Sequence, residues 1–144
     1  MGFLKRLSEV FKSSLPAKSR RPLSGAVDRE EAVARFLCHG SDLHAATGRV
    51  KPGRYLPRDG RTSVFRINGL ELADIRSLGN AILRNPPPIA HARTIAAVVY
   101  DCGLTFDPNN EPARHADIVG WPDRKEHQKL IALKIAEVAT TFRY

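Results

Sequence analysis

Cysteine is scarce: two residues in 144, Cys38 and Cys102, lie far apart, each beside apolar neighbours. That usage writes no disulfide framework, fits a reducing compartment, and reads as two small buried hydrophobes. Long apolar stretches are absent too, with no run of 18 such residues, so no membrane-spanning helix is expected. Ten Gly and ten Pro are ordinary usage without a period, which excludes collagen-like, coiled-coil and wholly disordered chains. P-loop, GxGxxG, HExxH, paired CxxC, GxSxG and EF-hand motifs are all missing, so the common ATPase, dinucleotide, zinc and hydrolase readings lose their markers. No ligand spacing of the strong kind marks a metal site, and no cofactor is expected.

What the chain does have is positive charge, a formal +8 at pH 7 that is unevenly spread. Residues 1–25 hold six cations against Glu9. Residues 49–66 hold Arg49, Lys51, Arg54, Arg58, Arg61 and Arg66 against Asp59. Two basic segments on a chain otherwise slightly acidic form a footprint for a polyanion, whereas the plainer reading makes the charge a solubility device.

The first fifteen residues place Phe3, Leu4, Leu7, Val10, Phe11 and Leu15 at helical spacing with Lys5, Arg6, Glu9 and Lys12 between them, an amphipathic basic helix. The alternation with charges is unlike a secretory signal, and Arg6 stands where a myristoylation site wants Ser or Thr. Such a helix lies on an anionic membrane, docks in a partner's groove, or packs on its own domain. Residues 16–27 read as a linker rich in Pro, Ser and cations, and the domain proper spans 28–144.

Within it, Asp28, Glu30 and Glu31 before Ala32, Val33, Phe36 and Leu37 predict a first helix ending near Cys38. Asp59-Gly60 predicts a turn into a strand over 62–67, with Val64 and Arg66 on one face, Ser63, Phe65 and Ile67 on the other. Leu70 to Leu83 predicts a helix with Leu72, Ile75, Leu78, Ala81 and Ile82 inward, stopped by Asn85-Pro86-Pro87-Pro88. A buried strand over 91–99 that turns helical near Ala96, short strands at 104–106 and 114–119, and a last helix from Pro122 or Asp123 to about Ala139 complete the pattern. The sum is one small α+β domain of three or four short strands and about three helices, behind an N-terminal amphipathic helix.

Candidate chemistry concentrates in Arg114-His115-Ala116-Asp117, where a strand otherwise apolar carries cation, imidazole and carboxylate. His115 and Asp117 share a face about 7 Å apart, suited to flanking a ligand, or else to tying down the loop at Trp121. With Arg66 to hold phosphate and His44 in support, the set His115, Asp117, Arg66 and His44 fits phosphate chemistry with imidazole moving protons and guanidinium stabilising charge. His91 and Arg93 are further candidates. In the loop over 48–61, Arg49, Lys51, Arg54, Arg58 and Arg61 would track phosphates while Tyr55 stacks a base. The rival reading of that loop is a solvated basic surface.

The stretches Lys51–Pro57, Thr62–Leu70 and Arg114–Pro122 resemble those of short uncharacterised bacterial proteins, over about residues 30–138. The resemblance implies one complete small domain and carries no activity with it. The leading expectation is a small cytoplasmic protein that binds RNA or DNA. One rival is a metal-independent nuclease or other phosphate- or nucleotide-processing enzyme. The other is an interaction module tethered to a membrane or protein partner by residues 1–15. Oligomeric state is left open.

Overall fold

The computed structural model describes Leu23 and residues 25–144, so the predicted amphipathic helix and most of the predicted linker lie outside the described residues. The chain is α+β, built on one antiparallel sheet of six strands rather than three or four. In chain order the elements are β1 (Ala32–Leu37), β2 (Thr62–Arg66), α1 (Leu72–Ile82), β3 (Ala90–Ile95), α2 (Ala96–Asp101), β4 (Thr105–Asp107), β5 (His115–Val119), α3 (Lys125–Val138) and β6 (Thr140–Arg143). Short 3-10 turns occupy Gly40–Asp42 and Pro52–Tyr55. Across the sheet the order is β4-β5-β2-β1-β3-β6.

Alternation sorts the side chains onto two layers. Val33 and Leu37, Val64, Ala90 and Ala92, and Ala116 and Ile118 face α2 and α3 and pack with Tyr55, Val99, Ala132, Ile135 and Ala136. On the other face Ala34, Phe36 and Phe65 pack against Ile75, Leu78 and Ala81 of α1. Gly79 is required there, because a Cβ on it would sit 2.6 Å from the Phe36 ring.

β1 replaces the expected first helix. Its residues are buried on both faces of a central strand flanked by β2 and β3, and such a strand shows a near-continuous apolar run that mimics a buried helix. The acidic residues before it do not cap a helix either: Glu31 turns inward and is only 4% exposed. β6 was not expected. Leu72, read as inward, is half exposed, as are Leu130 and Val138 on α3, whose buried residues are Ala132, Ile135 and Ala136. The predicted strand-to-helix change near Ala96, the helix after Gly69 and the strand at 115–119 all occur. Among the described residues no helix is long and apolar enough to cross a membrane.

Candidate active site

β2 and β5 are neighbours in register, with Phe65 opposite His115 and Ser63 opposite Asp117, and Asp107 of β4 lies opposite Asp117 in turn. By alternation Ser63, His115 and Asp117 therefore share the α1 face of the sheet. Twist and side-chain length bring together what strand spacing alone keeps apart. His115 Nε2 is 3.7 Å from Asp117 Oδ1 and 2.7 Å from Ser63 Oγ.

The hydrogen-bond pattern sets the proton on this imidazole. Asn109, on the loop between β4 and β5, donates its Nδ2 to Asp117 Oδ2 at 3.1 Å, and its Oδ1 accepts from the Glu111 backbone N–H at 3.1 Å. The amide orientation follows, so the second partner of Oδ1, His115 Nδ1 at 2.7 Å, must be the donor. Nε2 is left as an acceptor, and the Ser63 hydroxyl donates to it. Burial holds the His115 pKa below its ordinary value, with the Asp117 charge working the other way, so the ring is neutral at pH 7. Asp117 is itself balanced by Arg61, whose Nη1 lies 3.1 Å from it and 2.8 Å from Asp107.

Ser63 and His115 line a cavity of about 390 Å³. Phe36 and Phe65 come from the sheet, Ile82 and Leu83 from the end of α1, and Glu111 and Pro112 from the loop before β5. Arg35 completes it. β1 and β2 pair only at Val33–Arg66 and Ala34–Phe65, and where that ladder stops the Arg35 side chain bridges the strands. Its Nη1 donates to Ser63 O at 3.0 Å and its Nε to Arg54 O at 2.8 Å. Among the described residues no carboxylate lies within ion-pair distance of it, and burial lowers its pKa, with the Arg54 charge adding to the effect.

The residues singled out from sequence are dispersed. His115 and Asp117 meet. Arg66, one position along from Phe65, points to the opposite face and forms a buried pair with Glu31, Nη2–Oε2 2.7 Å and Nε–Oε1 2.9 Å. Its remaining N–H groups donate to the carbonyls of Leu23, Gly25 and Ala26, which ties down the end of the segment read as a linker. His44 is exposed and lines a different cavity of about 370 Å³ beside Arg49, Leu133 and Glu137. His91 is fully buried, stacked on Phe142 with its Nδ1 2.8 Å from the Tyr144 hydroxyl, and Arg93 lies over the Phe142 ring.

In the basic loop Tyr55 is 2% exposed and belongs to the core, so it does not stack on a base; the Pro52–Tyr55 turn folds it under α3. Arg54 is paired with buried Asp42 at 2.9 Å, and Arg61 with its two carboxylates. Arg49 donates to the Glu137 carbonyl, Arg58 is exposed, and Lys51 is half-buried. Cys38 and Cys102 are half-buried rather than buried, and burial raises both thiols. Among the described residues no cluster of three or more His, Cys, Asp or Glu is arranged to hold a metal ion.

Ser63, Asn109 and Arg35 were not read as site residues. Ser63 had a findable signal, since it shares the face of Phe65 on the strand before Arg66. Asn109 and Arg35 had none: one acts from an ordinary loop, the other from a strand that reads as a helix. No family model matches the chain, and neither does any curated protein or solved structure.

Proposed function

We propose that the protein is an enzyme acting on a phosphate ester, nucleotides among them, with Ser63 as nucleophile and His115 as general base. The observation that carries the reading is the relay on the cavity wall: Ser63 Oγ to His115 Nε2 at 2.7 Å and His115 Nδ1 to Asn109 Oδ1 at 2.7 Å. A hydroxyl is a weak nucleophile until a base within hydrogen-bond reach takes its proton, and the base works best when a third group fixes its ring.

Ser63 Oγ attacks phosphorus and its proton passes to Nε2. The bond from phosphorus to the leaving oxygen breaks, and the imidazolium returns the proton to that oxygen. Water then attacks the seryl phosphate, its proton again going to Nε2, and Ser63 leaves with that proton restored. Asp117 Oδ1, 3.7 Å from Nε2, favours the imidazolium that exists only during the transfers. Arg35, bonded through Nη1 to the Ser63 carbonyl and lining the same cavity, is the cation assigned to the charge on the phosphoryl group.

Two measurements test this. Hydrolysis of nitrophenyl phosphate and its diester is expected to fall about 10²–10⁴-fold in His115→Ala and to be lost in Ser63→Ala. The base must be neutral, so the rate should hold above the ordinary imidazole pKa and fall only at lower pH. A fluorophosphonate should label Ser63, found by peptide mass, and much more slowly in His115→Ala. Wild-type protein that neither hydrolyses the esters nor takes label at Ser63 would overturn the reading.

A second reading, RNA or DNA binding, is favoured by the exposure of Arg49 and Arg58 on the loop that also carries Lys51. Binding to a labelled single strand should then weaken with salt at about −0.7 in log–log slope per phosphate neutralised. Charge reversal at Arg49 and Arg58 with no change in that slope counts against it.

A further inference from the structure

We propose that the cavity beside Ser63 is built for a phosphate monoester that carries an aromatic ring, with the phosphate on Arg35 and the ring against Phe36 and Phe65. The proposal rests on the phosphate-ester reading for its relevance to turnover, but its binding claim stands apart from the chemistry.

Three arginines near the sheet already hold carboxylates. Arg66 is neutralised by Glu31, Arg54 by Asp42, and Arg61 by Asp107 and Asp117, at 2.7–3.1 Å. Arg35, unlike these three, has only carbonyl oxygens as hydrogen-bond partners, 2.8 and 3.0 Å away, although it is half-buried. A cation withdrawn from water is ordinarily matched by an anion, and among the described residues no carboxylate forms an ion pair with Arg35, Asp42 acting on it only from beyond ion-pair distance. Arg35 is among the residues that line the cavity, and its Nη2 has no hydrogen-bond partner among the described residues. Its planar fork suits a phosphate or carboxylate in two-point contact.

The number of cations sets the size of the anion. One unneutralised guanidinium, with neutral His115 beside it, matches a single phosphate and not a di- or triphosphate. Glu111, an exposed residue of the lining, disfavours additional negative charge beside it. The rest of the lining is apolar. Phe36 and Phe65 stand 5.5 Å apart at 52°, Phe65 is edge-on to His115 at 5.2 Å, and Ile82 and Leu83 are also in the lining. Such walls accept a flat ring rather than a sugar alone or a flexible polar chain. The volume, about 390 Å³, is at the small end of the range of roughly 300–1,000 Å³ for small-molecule sites.

The test is calorimetric titration of the full chain with phenyl phosphate, adenosine monophosphate, adenosine diphosphate, adenosine and inorganic phosphate. The two ring-bearing monophosphates are expected to bind best, with adenosine and inorganic phosphate each weaker by about tenfold or more. Arg35→Gln should weaken the monophosphates by about tenfold and leave adenosine unchanged. Glu111→Gln, at an exposed position where folding is not in question, should tighten them by roughly twofold. Ser63→Ala should bind them as wild type does, even if it has lost turnover. Adenosine binding as tightly as its monophosphate, a diphosphate preferred over a monophosphate, or Glu111→Gln without effect would each overturn the proposal. A Ser63→Ala protein that binds the monophosphates beside a wild type that turns over no ester would keep the pocket and remove the enzyme.

Discussion

Two arginines on adjacent central strands make opposite use of the same side chain. Arg66 on β2 is 3% exposed, holds Glu31 in a two-point ion pair, and spends its other donors on three backbone carbonyls. Arg35 on β1 is half-buried, has two carbonyls and, among the described residues, no paired carboxylate, and borders a cavity. One closes a structural account and the other leaves it open. An arginine's strand position therefore says little about its role; the presence or absence of a matched anion says more.

The sharpest way to break the comparison is on the closed side. Glu31→Gln leaves the Arg66 charge buried without its carboxylate and should cost about 3–5 kcal/mol, read as a lower denaturant midpoint. A loss below about 1 kcal/mol would show that the carbonyls of residues 23–26 suffice and that the two arginines are more alike than they look.

Next in size is acid sensitivity on the cavity side, through His91, which packs edge-on to Phe36 at 6.5 Å. Burial depresses its pKa from 6.5 to about 4, with the Arg93 charge adding to the effect. The unfolded chain therefore binds the proton first as pH falls. Stability present above pH 6.5 should be lost between 6.5 and about 4, by up to about 3 kcal/mol, and level off below. In His91→Phe that slope should shrink in denaturation curves taken across the window, and an unchanged slope assigns it to other groups.

Smaller still is Gly79→Ala, whose added methyl would meet the Phe36 ring at 2.6 Å and Pro88 Cγ at 3.0 Å. Better helix propensity offsets part of the overpacking, leaving a loss of about 1–2 kcal/mol and weaker monophosphate binding as Phe36 is displaced. Calorimetry and thermal melting on the same protein would show whether the two effects travel together. The smallest effect on stability is expected at the open side: Arg35→Gln trades two carbonyl hydrogen bonds for relief of an unmatched charge, and should move the folding free energy by under about 1 kcal/mol. A loss as large as that of Glu31→Gln would make Arg35 a structural residue.

Legibility in the sequence followed locality. The helix over Leu72–Ile82 shows its period, and Asp74 accepts from the Glu71 N–H at its start. The strand at β5 was marked by alternation, and β2 by its turn and β-branched residues. β1 misled because both its faces are buried, and β6 because four residues of mixed polarity carry no period. For the site, His115 and Asp117 stood out as polar groups in an apolar strand. Their partners did not: Ser63, Asn109 and Arg35 lie 52, 6 and 80 positions from His115 and look ordinary where they stand.

The sequence by itself determined the α+β class, most element types and the basic character of the chain, because propensity, turn chemistry and charge are properties of short segments. Tertiary structure alone decided which cations were already matched, that Tyr55 was core, and which of the described residues surround His115. Ion pairs and cavities form between segments far apart in the chain, and their geometry is set by strand register and by where a ladder stops.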